Sequence, residues 1–185
     1  MFDRYLSNLA LAALLLVSVA VSAADSVAVR LLDLQSVVTA DWEKEQPTST
    51  MRLLQYRVAG RGGAGSASFI VYYFGPGQGG SNAANIERWQ SQFTTADGGP
   101  VEPVITTSKA GDLPVTLVEL RGNYARSLGM GQRVDPQPDQ ILLAGIVETP
   151  KGNLFAQLHG PTATVAPARA AFEAFLAGLK PVAQP

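Results

Sequence analysis

The glycine-rich segment at residues 74–82, FGPGQGGSN, has residue types and spacing that suit anion binding. It lies between an aromatic, β-branched run and a helical pattern, and in phosphate-binding loops of that layout backbone N–H groups and a helix N-terminus face the anion. Gly75 and Gly80 have the spacing of the nucleoside triphosphate loop, but Ser81 replaces its lysine and Asn82 its hydroxyl residue. The segment is therefore either a site for a small anion or polar ligand or, more simply, a tight turn before a capped helix.

The candidate ligand-binding residues lie in this segment or early in the helix that follows it: Gly77, Gln78, Gly79, Gly80, Ser81, Asn82 and Arg88. Backbone N–H groups would donate to the ligand, and Arg88 would supply positive charge. Further charge near the segment could come from Arg121, Arg126 and Arg133. No catalytic residue, metal site or cofactor is predicted.

His159 is the single histidine of the chain, which has no cysteine. With a serine and an acidic residue, His159 could act as the base of a serine-type hydrolase. The GxSxG segment that presents the serine in many hydrolases is missing, however, and Gly160 and Pro161 follow His159 directly, as at a strand end or loop. A hydrolase is therefore the less favoured alternative, and we expect His159 to bond to the backbone.

Acidic residues alternate at Asp41, Glu43 and Glu45, a spacing that a cation could use. Lys44 lies among them, and the segment lacks the glycine and final glutamate of a calcium loop. We therefore expect solvated charge here and no metal. Trp42, in the same segment, either closes over a pocket or fastens the loop to the sheet.

Charge is nearly balanced, with 15 acidic and 14 basic residues among 185 and a formal net charge of −1. A nucleic-acid-binding protein would be expected to carry a clear positive excess, so nucleic acid is excluded as a partner. With 46% hydrophobic residues, the chain is long enough for one domain with its own core. A small polar ligand or a protein of the cell envelope is the expected partner.

Residues 1–24 have the pattern of a secretory signal peptide. Arg4 precedes an uncharged stretch at residues 9–24, which is shorter than the roughly 20 residues that span a membrane. Small residues suit cleavage after Ala23 or Ala24. We therefore expect export to the periplasm or the medium, with no membrane span after cleavage; an uncleaved N-terminal membrane anchor is the alternative.

Six strands and two helices would position these residues within one domain at 25–185. Hydrophobic patterns predict strands over residues 27–38, 51–58, 67–74, 113–120, 141–147 and 154–158. Ser81 or Asn82 can cap one helix. The other helix covers residues 164–179 and has one apolar face, made by Ala168, Phe172, Phe175, Leu176 and Leu179. Short turns between most strands favour an α+β fold, with an antiparallel sheet of about six strands packed by two main helices.

Three stretches resemble segments of a family of bacterial exported proteins of uncharacterised activity: YYFGPGQGGS at residues 72–81, NIERWQSQF at residues 85–93 and GIVETP at residues 145–150. The resemblance covers about residues 39–179 and implies an exported domain, without assigning any catalytic residue. The order of the elements also resembles, more loosely, the Mog1/PsbP-like fold, whose members usually act as accessory or binding proteins.

The sequence therefore favours an exported, non-enzymatic binding or accessory domain over an enzyme. Its expected site is the glycine-rich segment with Arg88. An envelope structural or interaction protein and a hydrolase that uses His159 are the alternatives.

Overall fold

The computed structural model describes residues 26–125, 127–129, 132–133 and 135–182. The predicted signal peptide, residues 1–24, lies outside these ranges. The strands are β1 (Ser26–Leu31), β2 (Leu34–Thr39), β3 (Glu43–Lys44), β4 (Arg52–Val58), β5 (Ala67–Tyr73), β6 (Phe93–Thr94), β7 (Val104–Ala110), β8 (Leu113–Tyr124), β9 (Ser127–Gly129), β10 (Gln132–Arg133), β11 (Gln137–Val147), β12 (Leu154–Pro161) and β13 (Lys180–Pro181). The helices are α1 (Asn82–Gln90) and α2 (Thr162–Ala177).

The strands form a large and a small antiparallel sheet. The large sheet has the order β3-β4-β5-β12-β11-β8-β6, with β7 also paired to β8, and the small sheet has the order β1-β2-β13. Strands β9 and β10 form a separate ribbon. The described part of the chain is mostly β, and its strands form two main sheets of eight and three strands. The expectation of one sheet of about six strands packed by two main helices is therefore wrong.

Two features that the hydrophobic pattern does not reveal account for the longer additional strands, and the others, β3, β6, β9, β10 and β13, have two or three residues each. The single strand expected over residues 27–38 is a hairpin, in which Leu31 pairs with Leu34 and Leu32 turns the chain at a φ of 57°. No glycine or proline marks this reversal. Strand β7 was not predicted, because six of its seven residues are exposed and it therefore shows no apolar alternation.

Helix α2 and the small sheet cover one face of the large sheet. The helix packs against β2, β11 and β12 through the predicted face, on which Phe172, Phe175 and Leu176 are buried. The ring of Phe69, on β5, lies 4.9 Å from that of Trp42 and 5.0 Å from that of Phe175, measured between centroids. Trp42 is thus packed into the core and fastens its loop to the sheet.

The opposite face of the large sheet is only partly covered. Because side chains alternate along a strand, Leu154, Ala156 and Leu158 of β12 point to α2, and Gln157 and His159 point to the other side. Helix α1 packs there over β8, and its Trp89 belongs to a second apolar cluster that includes residues of β8 and β11. The face towards β4 stays open beside α1. In the described ranges, neither helix is long and apolar enough to cross a membrane.

Candidate functional site

A cavity of about 500 Å³ lies on the open face of the large sheet, next to α1. Aromatic and aliphatic side chains line part of it: Ile70, Tyr72, Phe74, Trp89, Tyr124, Leu142 and Phe155. The rest of its lining is polar: Arg52, Gln55, Ser68, Arg88, Gln92, Gln157 and His159. Ligand sites for small molecules have this volume and this mixture of apolar walls with a few polar groups.

Arg52, on β4, is held in place by a short chain of hydrogen bonds. Its Nη1 donates to Oε1 of Gln55 at 2.8 Å, and Nε2 of Gln55 donates to Oε2 of Glu45 at 2.9 Å. The guanidinium carbon lies 5.5 Å from the centroid of the Tyr72 ring, which is within the range of a cation–π contact. Glu45 therefore orients the amide of Gln55, and that amide orients the guanidinium beside the cavity.

Arg88, at the exposed rim on α1, is held in a similar way by Asn85. Nη2 of Arg88 donates to Oδ1 of Asn85 at 2.6 Å. Nδ2 of the buried Asn85 donates to the carbonyl oxygens of Gly79 and Ser81, at 2.7 and 2.9 Å. Since its amide hydrogens are directed to these carbonyls, its side-chain oxygen faces the guanidinium. The glycine-rich segment thus positions Arg88 through Asn85.

Of the predicted site residues, Arg88 alone is part of the described cavity lining. The others belong to the turn and the helix start that precede Arg88 in the chain. Ser81 caps α1, as predicted, by accepting a hydrogen bond from the N–H of Ala84 at 3.2 Å. Nδ2 of Asn82 donates to Oε1 of Glu148 at 2.9 Å. The flanking Gly77, Gln78, Gly79 and Gly80 make the turn that leads into this cap.

The other arginines that the sequence suggested have different positions. Arg121 pairs with Glu119 on β8 and does not belong to the described cavity lining. Arg126 and the side chain of Arg133 lie outside the described residues.

His159 has an unsatisfied nitrogen in the cavity wall. Its Nε2 is buried and has no hydrogen-bond partner among the described residues, and the centroid of its ring lies 4.1 Å from that of Tyr124. Burial lowers the pKa of His159 to about 4, so the ring is neutral at neutral pH. A neutral imidazole nitrogen can donate or accept one hydrogen bond, depending on the tautomer. Nε2 of His159 can therefore form one hydrogen bond with a ligand in the cavity.

The arrangement lacks the third member of a hydrolase triad. Ser68 of β5 lies directly opposite His159 of β12 in the sheet register, and both line the cavity. No aspartate or glutamate is found among the described lining residues, so nothing there would orient the imidazole and stabilise its protonated form. The lowered pKa also makes His159 a weak base.

Sequence reasoning missed Arg52, Gln55 and Gln157 as parts of the site. The available signal was the pair Gln157 and His159, two polar residues at alternate positions of the otherwise apolar segment LFAQLHG. Alternation of this kind places polar groups on one face of a strand. Whether that face is open to solvent depends on which strands α1 covers, and the alternation along β12 does not show this.

A second cavity of about 500 Å³ lies between the Trp42 loop and α2. The α2 side is rich in alanine, including Ala163, Ala170 and Ala171. The only charged side chains in its described lining, those of Asp41 and Arg61, approach each other to 3.8 Å. The cavity beside α1 has the richer set of polar groups.

The fold and the site together define a mostly β domain of the α+β type that carries a polar cavity on one face of its large sheet. No protein-family model matches the chain, and no curated protein matches it. Among solved structures, it is similar to the protein of unknown function PA94 from Pseudomonas aeruginosa, with a TM-score of 0.49 and 14% sequence identity over 86% of this chain and 99% of that one.

Proposed function

We propose that this protein is an exported, non-enzymatic binding domain that holds a small polar organic molecule in the cavity beside α1. The observation that carries the proposal is the buried, unpartnered Nε2 of His159 in the wall of that cavity. An unsatisfied buried polar atom costs free energy of about 1–3 kcal/mol, which a ligand hydrogen bond would recover.

Fixed side chains around the cavity support this proposal. Gln55 orients Arg52 and Asn85 orients Arg88, so neither arginine has to be ordered when a ligand binds. Preorganisation of this kind lowers the entropic cost of binding. The shortage of groups for acid–base catalysis in the described lining favours binding over reaction.

Export is the part of the proposal that rests on residues 1–24 alone. N-terminal sequencing of the protein recovered from the cell envelope or the medium tests it. We expect the first residue to be Ala24 or Asp25, and a protein that keeps Met1 and pellets with membranes would instead carry an N-terminal anchor.

The envelope interaction role remains the second candidate. The exposed neighbours Val104 and Ile105 on the edge strand β7, 62% and 47% exposed, are the observation in its favour. Unpaired strand edges of this kind can pair with another chain. Crosslinking from position 104 in intact cells tests this role, and recovery of the monomer alone would exclude it.

A thermal-shift screen of the purified protein against anions, metal ions, sugars and lipid headgroups tests binding. A ligand at 100 times its dissociation constant stabilises the native state by about 2.7 kcal/mol. For a domain of this size the melting temperature should rise by about 5–10 °C. The shift should be lost in Gln157→Leu, in the cavity wall, and kept in Gln35→Leu, on the small sheet. No shift with any of the four classes would overturn the proposal.

A further inference from the structure

We infer that the ligand is a small organic dianion, with one anionic group bound by Arg52 and the other by Arg88. This inference rests on the proposed binding function and adds the chemical class of the ligand. It follows from three properties of the cavity: its charge, the way its two arginines are held, and their separation across the sheet.

The described lining carries two positive side chains and no negative one. Two arginines elsewhere on the large sheet and on α2 are neutralised by carboxylates, since Arg57 pairs with Glu43 and Arg169 with Glu119. Neither Arg52 nor Arg88 forms an ion pair with any described residue. The cavity therefore keeps uncompensated positive charge, which favours an anionic ligand.

Each of the two guanidinium groups is held by an amide oxygen. A neutral amide orients the guanidinium and does not neutralise its positive charge. Arg52 donates one N–H to Gln55, and Arg88 donates one N–H to Asn85. A guanidinium has five N–H donors in a planar fork, so several remain on each arginine. Such forks match the oxygen pairs of carboxylates and phosphates.

The two arginines belong to different sides of the cavity. Arg52 is on β4, and Arg88 is on α1, which packs over β8. Strands β5, β12 and β11 lie between β4 and β8 in the sheet and form the floor of the cavity, and neighbouring strands are about 4.8 Å apart. An organic molecule with an anionic group at each end has the extended shape needed to engage an arginine on each side.

The floor suits the uncharged body of such a ligand. Tyr72 offers an aromatic surface, and Gln157 and the unpartnered Nε2 of His159 offer neutral hydrogen-bonding groups. Because the pKa of His159 is lowered, its ring adds no positive charge at neutral pH. The ligand is thus expected to carry its two charges at its ends and hydroxyl, carbonyl or ring groups between them.

Calorimetry with matched probes tests the inference. The carboxylate series is succinate, glutarate, adipate and suberate, each compared with its monoamide and its neutral diamide. The phosphate probe is fructose 1,6-bisphosphate compared with fructose; each of its two phosphate groups carries roughly −1.5 to −2 charge at pH 7, so it also tests whether more charge at each end binds more tightly. We expect a dianion to bind about tenfold or more tightly than its monoamide, since a charged hydrogen bond is lost, and the diamide to bind weakest. Whether carboxylates or the bisphosphate bind better identifies the anionic group.

Arginine variants link the effect to the site. Arg52→Gln and Arg88→Gln should each weaken the best dianion about tenfold or more, and added salt should weaken it in the unmodified protein. The control Arg30→Gln removes the same charge from the small sheet and should change nothing. If Arg52→Gln fails to fold, Arg52→Lys keeps the charge and removes the planar fork, and it should also weaken binding.

The outcomes separate this inference from the proposed function. Equal binding of a dianion and its diamide, or unchanged affinity in both arginine variants, overturns the dianion and leaves a cavity that binds a neutral molecule. If none of these probes binds, but a neutral compound raises the melting temperature in the thermal-shift screen, the dianion is likewise overturned and the binding function stands. Absence of a response in both experiments overturns the inference and the proposed function together.

Discussion

Asn85 holds the guanidinium of Arg88 with its side-chain oxygen, at 2.6 Å, while its amide nitrogen is bound to the carbonyls of Gly79 and Ser81. One buried side chain therefore joins the glycine-rich turn to the rim of the cavity. The glycines of the turn lie outside the described cavity lining, so their effect on a ligand passes through Asn85 and through the rings of Phe74 and Phe155, which Gly79 approaches closely.

Replacing Asn85 by alanine should lower both stability and affinity. The change leaves the Gly79 carbonyl without the Asn85 amide and the Ser81 carbonyl with only the backbone N–H of residue 85, and it should cost about 1–3 kcal/mol of unfolding free energy. It also frees Arg88, so the best anionic probe should bind more weakly. Denaturant unfolding and calorimetry measure the two effects. The control is Asn82→Ala on the same helix, which removes a hydrogen bond to Glu148 outside the described cavity lining and should leave affinity unchanged.

An unchanged affinity in Asn85→Ala, with the stability loss observed, would mean that Arg88 does not depend on Asn85 for its position. The glycine-rich segment would then contribute to the site only through the rings of Phe74 and Phe155.

The sequence predicts the parts of this fold that depend on local pattern. Ser81 as the N-cap and the buried face of α2 with Phe172 and Phe175 are confirmed. Helix α2 begins two residues earlier than expected, at Thr162, which places Pro167 inside the helix. Helix caps and apolar helix faces are set by residues a few positions apart, so the sequence alone predicts them.

The parts that could not be predicted depend on which strands become neighbours. The cavity brings Arg52 of β4 together with Gln157 of β12, and β5 lies between them in the sheet. This order is fixed by long-range pairing, such as that of Gln157 with Ile70, which no local pattern encodes. Export, which the resemblance of the glycine-rich segment to exported proteins implies, remains a prediction.

Gly79 should tolerate alanine less well than its neighbour Gly77. Both have positive φ, at 92° and 67°, so alanine costs each about 1–2 kcal/mol. At Gly79, a Cβ would also lie 2.8 Å from the Phe155 ring, whereas at Gly77 nothing lies within 4 Å. Crowding should add about 1–3 kcal/mol at Gly79 alone. Denaturant unfolding of the two variants compares them, and equal costs would contradict the close approach to Phe155.

Gly145 allows α2 to pack closely on β11. A Cβ at this position would lie 2.7 Å from Cδ1 of Leu176, so Gly145→Ala should cost about 1–3 kcal/mol of stability. Leu176→Ala alone should cost about 2–5 kcal/mol, because it leaves a cavity. The double variant should be more stable than the sum predicts, by about 1 kcal/mol, since the new methyl group occupies part of that space. Strictly additive costs in urea unfolding would show that the two positions do not compete for space.

His159 should make the protein less stable as the pH falls from about 6.5 to about 4. The pKa of its imidazole is about 4 in the folded protein, against an ordinary value of 6.5, because burial disfavours the charged form. The unfolded chain therefore binds a proton in this pH range that the folded protein does not, and the lost stability should reach about 2–3 kcal/mol at about pH 4.5. His159→Gln does not titrate and should remove this loss, as seen in unfolding curves at several pH values.

The carboxylates with lowered pKa values act mainly below this window. The pKa values of Asp33 and Asp97 are lowered by hydrogen bonds, with Lys151 and Thr95 respectively, so their stabilisation is lost below their ordinary value of 3.8. Burial alone would raise the pKa of Glu119, but Arg121 and Arg169 outweigh this effect and lower the pKa from 4.5. Glu119 therefore contributes at the acidic end of the window, equally in the unmodified protein and in His159→Gln. Because His159 is the only histidine, its ring protons give one set of histidine NMR signals, and their titration reads the pKa directly. A midpoint near 6.5 would mean that water reaches Nε2 freely, and the unpartnered nitrogen on which the binding proposal rests would then be solvated. A midpoint near 4 that moves when the best anionic probe is added would place that probe beside the ring.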